Sequence, residues 1–132
     1  MFSIRRSPFL LGLAAQMIAM SQSVPNPLLT ESPLAYHLPP FEQIKDEHFA
    51  PVFEQGMKAH LSEIEAIANN PTRPTFENTI VAMEQAGSLL ERARRAFGIY
   101  TGSMTNPNLQ KLEATFAPRF AAFRSLRQAS PH

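Results

Sequence analysis

The chain has no cysteine. That excludes a disulfide framework, a thiol nucleophile, a zinc site built on thiolates and a lipid-modified N-terminal cysteine. It leaves the compartment open, because exported proteins do not need cysteine. Charge is also scarce: 17% of residues are charged and the net charge is +1, against a usual quarter charged. Such a balance gives no electrostatic reason to expect a nucleic-acid partner. Strand patterning is missing as well. No stretch alternates strictly, and there is no Asn-Gly or Asp-Gly hairpin turn. No internal repeat, glycine-rich phosphate loop or nucleophile elbow occurs.

What remains is helical text cut up by proline, of which there are twelve in 132 residues. The length suits one modest domain. Residues 1–23 have the three-part layout of a secretory signal peptide: Arg5 and Arg6, an apolar run from Pro8 to Met20 broken by Gln16, then small residues around Ala19, Ser21 and Ser23. The run is too short for a stable membrane anchor. This predicts export to the periplasm; an unprocessed apolar extension in the cytoplasm is the alternative. Without that segment roughly 109 residues remain, enough for a core but not for the walls of a deep cleft.

Residues 24–45 read as an extended, proline-rich arm, since residues before proline are pushed out of the helical region. Leu28, Leu29, Leu34, Tyr36, Leu38 and Phe41 are expected to pin it. A first helix is predicted from about Asp46, as N-cap, to Ala68. Phe49, Phe53, Gly56, His60, Ile64 and Ile67 share one face, and Glu54 and Lys58 form an i,i+4 pair. The corner follows: Asn69 to Ile80 reads NNPTRPTFENTI, with Pro71 and Pro74 breaking the helix and Thr75 as the next N-cap.

A second helix is predicted from Phe76 to about Ile99. Its stripe Phe76, Ile80, Met83, Gly87, Leu90, Arg94 and Phe97 runs beside a line of alanines. So wide an apolar arc asks for cover on more than one side. Glu91 and Arg95 form a second i,i+4 pair. A break is expected over Gly98 to Thr105, and Asn106-Pro107 opens a third helix that Pro118 should kink or divide. The pattern fades after Phe123, so residues 124–132 are expected to be a divergent, disordered tail. The fold class is all-α: an antiparallel long-helix hairpin in residues 46–123, a third kinked helix packed across it, and the extended arm.

Candidates for chemistry are few. The histidines His37, His48, His60 and His132 include no pair at the spacing of H-E-x-x-H, which a catalytic zinc needs. His60 sits on an apolar face and reads as a hydrogen-bonded boundary residue. Glu42, Asp46 and Glu47 cluster at a helix start, where the dipole accounts for them. Arg92, Arg94 and Arg95, with Arg73, form a basic patch. Arg94 lies on the apolar stripe, either snorkelling at the core's edge or pointing toward a neighbouring domain or substrate cleft. No catalytic, cofactor-binding or metal residue is assigned.

An ordered series of short runs carries a resemblance: Leu38-Pro39-Pro40-Phe41, Ile44-Lys45-Asp46-Glu47-His48-Phe49 and Pro74-Thr75-Phe76-Glu77-Asn78-Thr79-Ile80, then Thr105-Asn106 and Ala117-Pro118. Over roughly residues 26 to 123 the chain resembles the N-terminal portion of the thimet-oligopeptidase-like zinc metallopeptidases, nearest the bacterial peptidyl-dipeptidase and oligopeptidase A type. The resemblance implies a mostly helical enzyme of several hundred residues that cleaves short unstructured peptides in a deep channel. It also implies a zinc ion held far toward the C-terminus, where this sequence has no matching positions. The part present resembles the helical region of the channel's lid half. The expected partners are the missing C-terminal catalytic region and short peptides, and the fragment is expected to be inactive alone. The departure after Ala121-Ala122 suggests truncation, with a frameshift as one route to it. The alternative reading is a free-standing helical periplasmic binding or adaptor module.

Overall fold

The computed structural model describes residues 25–129. The signal-peptide expectation for residues 1–23 lies outside them. Short 3₁₀ turns, the last at Asp46–His48, lead into α1 (Phe49–Ala68). The corner follows, then a wide π-type turn at Phe76–Val81, α2 (Ala82–Gln85), α3 (Ser88–Ser103) and α4 (Pro107–Ala129). No strand occurs among the described residues. None of their helices is long and apolar enough to cross a membrane.

The core is an aromatic ladder between α1 and α3. Phe49 meets Tyr100 and Phe97, with ring centroids 5.4 and 5.0 Å apart, and Phe53 meets Phe97 at 5.2 Å. One turn on, Gly56 lies against Leu90, where a Cβ would stand 3.0 Å from the Leu90 Cα. Another turn on, His60 lies against Gly87. Rising numbers on α1 meet falling numbers on α3, so the two helices are antiparallel. Phe49, Val52 and Phe53 are wholly buried, each worth about 1.5–3 kcal/mol of transfer free energy.

The third long helix differs from expectation in direction. Asp46 meets Asn106, Phe53 meets Phe116 and Phe120, and His60 meets Phe123. α4 therefore runs alongside α1 in the same sense and completes an up-down-up bundle rather than crossing the hairpin. Leu109, Phe116 and Phe123 form its buried seam at seven-residue spacing. Pro118 sits inside it without dividing it. The helix loses the bond Pro118 cannot donate, but Phe116 and Phe120, on either side, are both held against Phe53.

The second predicted helix is not continuous. Ala86 (φ −62°, ψ 135°) and Gly87 (φ 80°, ψ 11°) have the dihedrals of a type II turn. The second central position of that turn needs the left-handed freedom of glycine. The apolar stripe is split there. Leu90 and Phe97 are buried, whereas Phe76, Ile80 and Met83 remain 69%, 47% and 55% exposed. The break expected at Gly98 to Thr105 is much shorter, because α3 continues through Gly98 and Gly102 to Ser103. Burial of Ala96, Phe97 and Tyr100 outweighs a glycine cost of about 1 kcal/mol.

Other local readings change too. Asp46 is not the N-cap of α1. It begins the preceding 3₁₀ turn, in which the Lys45 amide donates to His48 Nδ1 at 3.0 Å. Glu54 turns from Lys58 to Arg119 of α4, which grips both carboxylate oxygens, one at 2.7 Å. This holds the Glu54 carboxyl below the ordinary glutamate range, chiefly through the Arg119 hydrogen bond. Residues 124–129 continue α4 rather than forming a loose tail.

The arm is pinned by fewer residues than its composition promises. Leu28 and Ile44 are buried and Leu29 and Phe41 half-buried, but Leu34, Tyr36 and Leu38 are exposed. Hydrogen bonds do the rest. The Tyr100 hydroxyl donates to the carbonyls of Phe41 (2.7 Å) and Ile44 (3.3 Å), and Asn26 donates to the His48 carbonyl at 2.8 Å.

Candidate functional site

The corner motif serves structure first. Thr75 Oγ accepts from the Asn78 amide at 3.1 Å, and Asn78 Oδ1 accepts from the Thr75 amide at 2.7 Å. The Asn78 side-chain nitrogen also donates to Thr72 Oγ and to the Arg73 carbonyl. Thr75 is thus the N-cap the sequence predicts, and Asn78 is the clasp of the whole turn. Asn106 repeats the device for α4, accepting from the Leu109 amide at 2.9 Å and donating to Asp46 at 3.0 Å.

The histidines are dispersed. His37 lies 3.2 Å from the Ser32 carbonyl and 3.4 Å from Glu31, and His48 caps its own turn. His60 is 8% exposed and shallowly covered, with its ring against Gly87 and Phe123. Contrary to the expectation of a hydrogen-bonded boundary residue, its Nδ1 has no hydrogen-bond partner. Burial lowers its proton affinity, Arg127 lowers it further, and Glu63 opposes them. The neighbouring Glu63 is itself engaged, accepting from the Gly87 amide at 2.6 Å. Among the described residues no group of three histidine or acidic side chains could hold a metal ion.

An open groove of about 760 Å³ runs along α3, bordered by the arm at Tyr36–Pro39 and by α4. The sequence-predicted arginines line it, except Arg73, which stays in the corner. Arg95 pairs with Glu91 at 3.0 Å, as the spacing predicts. Arg92 reaches back to the Leu29 carbonyl at 3.4 Å. Arg94 lays its guanidinium over the Phe120 ring at 5.1 Å, at the core's edge and facing the groove.

Two lining residues escaped sequence reading. Arg124 and Arg127 follow the point where the apolar pattern fades, yet they border the groove. The signal was present: Phe120, Phe123, Arg124 and Arg127 follow at intervals of three, one and three, a single helix face. The groove thus combines an aromatic floor with a cationic rim. It can seat an anionic group beside an apolar one.

No protein-family profile matches the chain. The dipeptidyl carboxypeptidase of Salmonella typhimurium (strain LT2) is 45% identical to it over 97 residues, covering 74% of this chain and 14% of that protein. The dipeptidyl carboxypeptidase of Escherichia coli (strain K12) is 45% identical over 96 residues, covering 73% of this chain and again 14% of the relative. The chain spans about one-seventh of the length of the curated relatives it matches.

Proposed function

Because this chain belongs to the thimet-oligopeptidase-like peptidases, with dipeptidyl carboxypeptidases as its relatives, we infer that it is the N-terminal helical region of a peptidyl-dipeptidase. The observation that carries this is identity of 45% over three-quarters of the chain. The bundle supports it in two ways. The stripe Phe76, Ile80 and Met83 is left without cover, and the remainder of such an enzyme is the surface it is assigned to. The groove along α3 is partly open to solvent, which suits an extended peptide better than an enclosed compact ligand.

Zinc, which the family implies, does not fit the residues described, since they gather no three ligands. The metal and the hydrolytic step are assigned to the part of the parent enzyme beyond this chain, and the chain alone is inactive. Arg5-Arg6, the apolar run and the small residues after it support export to the periplasm, which fractionation of cells expressing the tagged chain would test.

The functional reading is tested by a chimera. Residues 26–123 replace the matching stretch of the Salmonella dipeptidyl carboxypeptidase, and release of C-terminal dipeptides from a short peptide is measured. Activity within tenfold of the parent is expected, with none from the 132-residue chain supplied with zinc. A folded chimera without activity, or metal-dependent hydrolysis by the chain itself, overturns the reading.

A further inference from the structure

The described residues hold seven arginines, and three have hydrogen-bonded side chains: Arg119 grips Glu54, Arg95 pairs with Glu91 and Arg92 reaches the Leu29 carbonyl. Arg73 lies in the corner, away from the groove. Arg94, which stacks on Phe120, Arg124 and Arg127 remain. All three border the same groove, and none has a carboxylate within ion-pair distance among the described residues. Of the acidic residues on the groove, Glu91 is taken by Arg95, Glu31 lies against His37, and Glu84 belongs to α2 and pairs with none of the three arginines. Three like charges on the border of one concavity favour an anion between them.

Beneath them lies a floor of Leu90, Phe120 and Phe123, with His60 at its end. His60 is more than nine-tenths buried, and its Nδ1 is unpartnered. A buried polar group without a partner costs free energy, and a partner that the protein itself does not supply is one explanation for it. Arginine's planar fork matches a carboxylate in bidentate fashion. The aromatic floor offers room for an apolar side chain beside it.

We propose that the α3–α4 face of the groove, rimmed by Arg94, Arg124 and Arg127, is a seat for a peptide carboxylate flanked by an apolar side chain. The proposal takes from the functional reading only that the occupant is a peptide, and binding can be measured without catalysis. Failure of the seat is therefore distinguishable from failure of the chimera.

The test uses the full chain and NMR, following the Phe120, Phe123 and His60 ring signals. Three probes are titrated: acetyl-Ala-Phe-Ala-Ala with a free C-terminus, amidated acetyl-Ala-Phe-Glu-Ala, and amidated acetyl-Ala-Phe-Gln-Ala. The first carries only a terminal carboxylate, the second only a side-chain carboxylate, the third none. At least one carboxylate probe is expected to bind tenfold or more tightly than the neutral one, and the preferred probe names the source. Binding is expected to raise the His60 titration midpoint, because the carboxylate screens Arg127. Arg124→Gln with Arg127→Gln should weaken binding at least tenfold with helicity unchanged, and Arg73→Gln should leave it alone. The seat is overturned by equal binding of all three probes, by no binding of any, or by full affinity in the arginine variants. It is equally overturned if inorganic phosphate alone reproduces the affinity and the His60 response, which would make it a general anion site. Should the double variant unfold, Arg94→Lys, which keeps charge but loses the fork, must still weaken binding.

Discussion

Gly87 lies so close to the His60 ring that a Cβ on the glycine would stand 2.4 Å from Nδ1. The same glycine has φ 80° and donates its amide to Glu63. One residue thus turns the chain, admits the imidazole and ties α3 to α1. Gly87→Ala should cost about 2–4 kcal/mol, the sum of left-handed strain and a side-chain clash. Urea unfolding checks it, and His60→Ala in the same chain should recover part of the loss. An unchanged midpoint for the single variant contradicts this packing.

His60 also predicts a pH dependence. Burial and Arg127 hold its folded proton affinity below the ordinary value of 6.5, so the unfolded chain binds the proton more readily. Stability is then insensitive to this group above pH 6.5 and falls as pH drops below it, until the folded form also takes up the proton. Thermal melts between pH 7.5 and 5 should show the decline, and His60→Gln should flatten it. A rise in stability on acidification over that range would reverse the assignment.

Phe53 is the hub of the core. It is wholly buried and touches the rings of Phe49, Phe97, Phe116 and Phe120. Truncation to alanine should cost about 3–5 kcal/mol. Loss of near-ultraviolet signal from the remaining aromatics at room temperature would report it directly.

Tyr100 bridges core and arm. Burial, with a smaller contribution from Asp46, pushes its hydroxyl's proton affinity up, so it remains a neutral donor to Phe41 and Ile44. Tyr100→Phe keeps the ring and loses the clasp, and about 1–3 kcal/mol should go with it. Limited proteolysis should then cut within residues 34–45 sooner than in the parent chain. Equal rates would mean the arm is held by Leu28 and Ile44 alone.

The corner gives a fifth measurement. Asn78→Ala removes one half of a reciprocal cap, and about 1 kcal/mol of stability should follow. Asn78→Ser restores an acceptor on a shorter side chain and should recover little, because Thr72 and the Arg73 carbonyl lose their donor as well.

Much of this was legible in the sequence, and the failures have physical causes. Helix faces set by large residues were clear: Phe49, Phe53, Phe97 and Phe116 read as core and are core. So were the caps at Thr75 and Asn106, whose chemistry is local. What escaped depends on contacts between elements. Gly87 looks like one tolerable glycine in a helix until His60 is known to lie against it. Gly98 and Gly102 look like a break until the burial on the opposite face is counted. Arg124 and Arg127 look like a tail until Phe120 and Phe123 are placed against α1 and α3. The groove was invisible for the same reason, since its two walls are distant in sequence.

The type II turn at Ala86–Gly87 also divides the molecule by cooperativity. From Phe76 to Gln85 no residue is buried, whereas the ladder beyond the turn holds the core together. Amide protons in the upper segment should exchange with solvent through local opening, while those of α1 and α3 wait for global unfolding. The corner is therefore a separate foldon, able to be reshaped by a neighbouring surface at little expense to the bundle beneath it.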